Sequence, residues 1–78
     1  MDTYVTKDFY LSSVCLASKL QLIQIIRNNS GIATFVFANP NHIAESTIQK
    51  HWNKELKINS LDLVEAINQI KTRIHSGV

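Results

Sequence analysis

Residues 22–38 read LIQIIRNNSGIATFVFA, and this stretch decides the fold. Its first part is rich in isoleucine and predicts a strand. Its last part alternates, with Phe35 and Phe37 on one face and Thr34 and Val36 on the other, which predicts a second strand. The NNSG between them tolerates positive φ and forms local hydrogen bonds, so we expect an antiparallel hairpin.

The chain before the hairpin predicts a short strand followed by a helix. Tyr4, Val5 and Thr6 are β-prone, and the Asp8 side chain can cap a helix that begins beside it. The apolar residues that follow recur mostly at spacings of three and four and predict a buried face: Leu11, Val14, Cys15, Ala17 and Leu20. Because free cysteine is among the most buried residue types, Cys15 is interpreted as a core residue and not as a reactive thiol.

The chain after the hairpin predicts a second helix. Asn39 and Pro40 close the strand and open this helix, with the asparagine as its cap and the proline in its first turn. Ala44, Ile48 and Trp52 follow at spacings of four, which predicts that they stack on one buried face. The only tryptophan is therefore expected to lie in the core.

A third helix is predicted to begin near residue 60, with Asn59 or Ser60 as its cap. The residues expected on its buried side are Leu63, Val64, Ile67, Ile70 and Ile74. The element order is thus β-α-β-β-α-α, which predicts an α+β domain whose small sheet packs one face against helices. The first strand can pair beside either strand of the hairpin, and an unpaired strand edge remains in both arrangements.

Length and composition restrict the class of protein. A chain of 78 residues has enough apolar surface for one core, so we expect a single compact domain over residues 1–78. Hydrophobic residues make up 45% of the chain without forming a membrane-spanning run, which predicts no membrane segment. The first residues lack the basic and then apolar layout of a secretory signal, and a lone cysteine forms no internal disulfide. We therefore expect a cytoplasmic protein.

Short motifs are spread over most of the chain: Thr6-Lys7-Asp8, Phe35-Val36-Phe37, Trp52-Asn53, Lys57-Ile58-Asn59 and Lys71-Thr72-Arg73-Ile74. Together they resemble those of a family of small prokaryotic domains of unknown function. The resemblance implies a shared fold. It supplies no activity, cofactor or functional residue.

The motifs that carry enzymatic chemistry are missing from the sequence. Neither glycine opens a helix after a strand, so a phosphate-binding loop is not expected. A nucleophile and base pair of Cys15 and His51 would require a thiol that the helix pattern places in the core. Together with His42 and His75, these residues lack the close ligand spacing of a zinc site. We expect no catalytic residue, no cofactor and no metal.

Basic residues concentrate around Trp52 and indicate one function. Lys50 and Lys54 are one turn apart on the predicted second helix, with His51 between them. The patch is extended by Lys57, Lys71 and Arg73, and Arg27 stands near the hairpin tip. Such cations can bind a phosphate backbone, which makes a nucleic-acid-binding module the alternative function. Glu55 and the expected burial of the tryptophan ring weigh against it.

The open sheet edge and the second face of the hairpin indicate another function. One helical layer cannot cover Ile23, Ile25 and Val36 if the sheet has two faces, so apolar surface should remain exposed. A sheet edge or the strand face with Thr34 and Val36 could then meet a protein partner or a second copy. The sequence therefore predicts a non-enzymatic binding protein that acts through a protein partner or by self-association as a homodimer.

Overall fold

The fold has the predicted α+β class and element order. The computed structural model describes residues 2–76. Its elements are β1 (Thr3–Thr6), α1 (Phe9–Ala17), β2 (Leu22–Arg27), β3 (Ala33–Ala38), a 3-10 turn (Pro40–His42), α2 (Ile43–Trp52) and α3 (Ser60–Ser76). Helix α1 packs against both α2 and α3.

The sheet is antiparallel with strand order β1-β3-β2. Strand β1 pairs with β3, which settles the position that the sequence left open. The hairpin is confirmed, since β2 and β3 pair directly and Gly31 adopts a φ of 84° in the connection. Asn28 stabilises the turn because its side-chain oxygen accepts the amides of Ser30 at 2.9 Å and Ile32 at 3.0 Å.

Alternation along β3 separates the two faces of the sheet. Phe35 and Phe37 are buried on the inner face, toward the helices. The buried cluster consists of Cys15, Leu20, Phe35, Phe37, Ala44 and Ile70. Val36 is half-buried and shares the outer face with Val5, its register partner on β1.

Helix α1 begins as predicted and ends earlier than the apolar pattern indicates. The Leu11 amide donates to the Asp8 carboxylate at 2.9 Å, so the predicted cap is confirmed. The helix ends at Ala17, and Lys19 turns the chain with a φ of 74°. Leu20 is still buried, because its amide donates to the Cys15 carbonyl at 3.1 Å in a Schellman motif that folds it back onto the helix.

Two serines in α1 are fully buried, which the apolar pattern does not predict. Their hydroxyls are satisfied within the helix: Ser12 donates to the Asp8 carbonyl at 2.8 Å and Ser13 to the Phe9 carbonyl at 3.0 Å. Each serine therefore occupies a small core position without an unpaired hydroxyl.

The start of α2 differs from the prediction that the helix follows Asn39 and Pro40 at once. A 3-10 turn intervenes, and Asn41 and His42 adopt φ values of 56° and 57°. Asn39 nevertheless caps the helix from a distance, because its buried side-chain oxygen accepts the Ala44 amide at 2.8 Å.

The same asparagine holds an acidic side chain in the first turn of α2. The Asn39 Nδ2 donates to Glu45 Oε1 at 2.8 Å, and this hydrogen bond lowers the pKa of the Glu45 carboxyl. A bridging asparagine thus connects the end of β3 with both a backbone amide and a side chain of α2.

The predicted burial of Trp52 is wrong. Ala44 is buried and Ile48 half-buried, as predicted, but the Trp52 side chain is 65% exposed. Each step of four residues overshoots a full helical turn by about 40°, so two steps carry Trp52 about 80° away from Ala44. The buried stripe continues instead through Thr47 and the half-buried His51.

Helix α3 confirms its predicted cap and corrects one buried position. The Asn59 side chain accepts the amides of Leu61 at 2.9 Å and Asp62 at 3.2 Å. Ala66 and Ile70 are buried, whereas Val64 is 50% exposed and its predicted burial is wrong. Val64 lies six residues from Ile70, about 120° around the helix, and therefore leaves the buried side. The other predicted positions, Leu63, Ile67 and Ile74, are half-buried.

Candidate functional site

The outer face of the sheet is an apolar surface that the helices do not cover. Val5 pairs with Val36, and Ile26 pairs with Thr34, so these side chains form two adjacent rows. The edge-strand residues Val5 and Ile26 are 54% and 46% exposed. Ile32, just before β3, is exposed as well.

This outer face carries no charged residue within the three strands. The register places on it Thr3, Val5, Gln24, Ile26, Thr34, Val36 and Ala38. Two electrostatic costs of association, repulsion between like charges and the loss of ion solvation, are therefore small for this surface.

The two edges of the sheet differ in their ability to accept another strand. In β2 the register shifts between Leu22 and Gln24, so Ile23 is an extra residue. Such a bulge disrupts the row of backbone groups at an edge. Strand β1 pairs with β3 over Thr3–Thr6 in continuous register, and its outer edge is more regular.

Sequence reasoning named Thr34 and Val36 for this surface and missed Val5 and Ile26. The missing information is the register, because only pairing shows that Val5 lies opposite Val36 and Ile26 opposite Thr34. The prediction that Ile23, Ile25 and Val36 cannot all be buried is confirmed: Ile23 is exposed, whereas Ile25, which packs against the core, and Val36, on the outer face, are half-buried.

The second candidate surface lies at the end of α2, where the predicted position of Lys54 on the helix is wrong. The helix ends at Trp52, and Lys54 adopts a φ of 62° beyond it. The Lys54 amide donates to the His51 carbonyl at 3.1 Å and the Glu55 amide to the Lys50 carbonyl at 2.8 Å. These bonds form a Schellman motif, so Lys54 occupies the position that glycine normally takes.

Trp52 and His51 form an aromatic pair at this helix end. Their ring centroids are 5.0 Å apart with an interplanar angle of 56°. His51 is half-buried and lies beside the exposed indole. Lys50 is exposed but lies two residues before Trp52, which places it on the opposite flank of the helix.

The remaining predicted basic residues are distributed over other elements. Lys57 is exposed in the connection between α2 and α3. Arg27 is exposed at the end of β2, beside the hairpin turn. Lys71 is exposed and Arg73 half-buried, and their spacing of two puts them on different sides of α3.

Among residues 2–76, the side chains that could act as metal ligands or nucleophiles do not form a cluster. No group of three His, Cys, Asp or Glu side chains there is arranged to hold a metal ion. Cys15 is buried, as predicted, and desolvation raises the pKa of its thiol to about 11, with a smaller contribution from the Glu45 charge. A thiol with this pKa is a poor nucleophile near neutral pH.

Two clefts in the described part of the chain each enclose about 180 Å³. One lies between α1 and α3, and the other is lined by Leu20, Pro40 and Ile43 among others. Both are smaller than the several hundred Å³ of typical small-molecule sites. Over the same residues, no helix combines the length and apolar character that crossing a bilayer requires.

Comparison with known proteins adds no relative, since no family model, curated protein or solved structure matches this chain. The resemblance to small prokaryotic domains of unknown function stays a prediction.

Proposed function

We propose that this protein is a non-enzymatic interaction module that associates with a second copy of itself through the outer face of its sheet. The observation that carries the proposal is an uncharged face with exposed β-branched side chains, Val5 and Ile26, beside the central Val36. Exposed apolar surface of this kind marks interaction sites.

The charge distribution of the outer face is compatible with a second copy as the partner. The formal net charge of +2 is small and repels another copy only weakly at long range. The outer face has no charged side chain of its own, so two such faces can meet without opposing like charges. A two-fold axis would place the same residues on both sides of the interface.

The size of the face predicts weak association. Three strands at their usual spacing, of which the two longest have 6 residues, give a surface about 14 Å by about 20 Å. This is well below the roughly 800 Å² that each partner contributes to a standard interface. We therefore expect a reversible dimer that dissociates on dilution. A cytoplasmic location and a prokaryotic origin belong to the same proposal.

Light scattering over a concentration series tests this function. The wild type should approach the mass of a dimer as concentration rises, and Val5→Lys should shift this transition to concentrations at least tenfold higher, because each dimer would have to accommodate two buried ammonium groups. Val64→Lys is the matched control, because Val64 and Val5 are similarly exposed, at 50% and 54%. Val64 lies on α3, away from the sheet.

Two results would contradict self-association through this face. One is a wild type that stays monomeric at the highest concentration. The other is an equal effect of Val5→Lys and Val64→Lys, which would assign any dimer to another surface or to net charge. A strictly monomeric protein that still captures a protein from the native host through Val5 would make the outer face a site for a different partner.

A further inference from the structure

We propose that Trp52 is a stacking platform for an unpaired base of single-stranded nucleic acid, with Lys54 and Lys57 contacting its phosphates. This site lies at the end of α2 and does not depend on the self-association proposed above. The ligand is defined by the chemistry of the surface, which offers an aromatic plane and cations, and Trp52 lines neither of the two clefts described above.

The exposure of the ring is the first observation. Trp52 is the only tryptophan, and 65% of its surface is accessible while smaller side chains fill the core. A stacking base needs such an accessible aromatic face. The ring centroids of the half-buried His51 and of Trp52 are 5.0 Å apart, so the indole has a neighbouring ring on one side.

The cations are the second observation. Lys54 follows the ring by two residues and Lys57 by five, and both are exposed. Neither takes part in the ion pairs found among residues 2–76, which join Lys19 to Asp62 and His42 to Glu45. Their ammonium groups are therefore available to replace the counterions of a phosphate backbone.

The geometry also gives the ligand a direction. Glu45 lies seven residues before Trp52, on nearly the same flank of α2, and is exposed. Its charge repels phosphates from that end of the flank. On the other side, the exposed Glu55 stands between Lys54 and Lys57 in the sequence and offsets part of their charge, so a strand stacked on the ring should contact the two ammonium groups and avoid the Glu55 carboxylate. Lys50, on the opposite flank, should take no part.

The same features favour a single strand over a duplex. Bases in a duplex are stacked on each other and cannot offer a face to a protein ring without being unpaired. Stacking on the ring is an interaction that every base can make. We expect tolerance of base identity, low affinity and strong dependence on salt.

Titration of the intact protein with a short oligothymidine at low salt tests the proposal. Stacking should quench the fluorescence of the single tryptophan, and the quench should disappear as salt rises. With a labelled oligothymidine, anisotropy should show that Trp52→Ala weakens binding about 5- to 150-fold, the range expected for one base on one aromatic ring. Because the ring is largely exposed, its truncation should leave the melting temperature nearly unchanged.

Lysine variants distinguish this site from general attraction to a basic protein. Lys54→Gln should weaken binding and reduce the salt slope by about 0.7, the value for one phosphate on a single strand. Lys50→Gln removes the same charge four residues away and should change neither quantity. Val5→Lys should retain binding, so that failure of the dimer and failure of this site are separable.

The proposal is overturned if Trp52→Ala binds the oligothymidine like the wild type, or if Lys50→Gln and Lys54→Gln have equal effects. Binding of a duplex at least as tightly as the single strand would also overturn it. If no oligonucleotide binds and Trp52→Ala instead abolishes dimer formation, the ring belongs to a protein interface.

Discussion

Asn39 uses both polar groups of its side chain to hold the start of α2. It is buried, its oxygen accepts the Ala44 amide at 2.8 Å, and its Nδ2 donates to Glu45 at 2.8 Å. The backbone amide of the same residue donates to the Asp2 carbonyl at 3.0 Å. One side chain thereby determines where α2 begins after two residues with positive φ.

Asn39→Ala should lower the free energy of unfolding by about 1 to 3 kcal/mol, because the buried Ala44 amide would lose its acceptor. Urea denaturation measures this loss, with the exposed Asn68→Ala as a control expected to stay within about 0.5 kcal/mol.

Asn39→Asp separates the two hydrogen bonds. It keeps an acceptor for Ala44 but places a buried carboxylate against Glu45, so it should be strongly destabilised at neutral pH and partly recover as acid protonates either carboxyl. Equal stability of Asn39→Ala and the wild type would show that water replaces the side chain.

At the scale of elements, two helices end in the same unusual way. Helix α1 ends with Lys19 at a φ of 74°, and α2 ends with Lys54 at a φ of 62°. Each lysine is followed by an amide that donates back to the helix, Leu20 to Cys15 and Glu55 to Lys50. A side chain at this position costs about 1 kcal/mol more than glycine, which adopts positive φ without steric conflict.

Lys19→Gly should therefore be more stable than Lys19→Ala by about 1 kcal/mol. Both variants remove the exposed ion pair with Asp62, whose nitrogen and oxygen are 3.5 Å apart, so the comparison cancels that small contribution. The midpoints of urea denaturation measure the difference. An alanine variant as stable as the glycine variant would mean that the chain can end α1 without positive φ.

The helices also show which features the sequence could predict. Asp8, Asn59 and the hairpin turn were predictable because each depends on side-chain bonds to amides only a few residues away. The exposure of Trp52 and Val64 was not predictable. Apolar residues at spacings of three and four indicate a helix, but they do not show which flank of that helix the neighbouring helices cover. Helix α1, which packs against both α2 and α3, decides that flank.

The two candidate surfaces depend on this tertiary information to different degrees. Apolar sheet residues were expected to stay exposed, but the pairing of Val5 with Val36 required the strand order. The basic segment was visible in the sequence, but the separation of Lys50 from Lys54 required the actual end of α2.

At the scale of the whole molecule, the sheet and the helices form two layers, and the outer side of the sheet has no third layer over the described residues. A domain of this size removes only about 60% of its unfolded surface from water, so its stability is modest and additional burial has a measurable effect. Pairing of two outer faces would bury additional apolar surface in the folded state but not in the unfolded chain.

The midpoint of thermal unfolding should consequently rise with protein concentration. Association that involves only the folded state stabilises it by mass action, and the shift should appear over the same concentrations at which light scattering detects dimers. Val5→Lys should make the midpoint nearly independent of concentration, whereas Val64→Lys should keep the wild-type dependence. If the midpoint of thermal unfolding stayed constant while the mass measured by light scattering doubled, the association would not require the native sheet. The outer face would then not be the dimer interface.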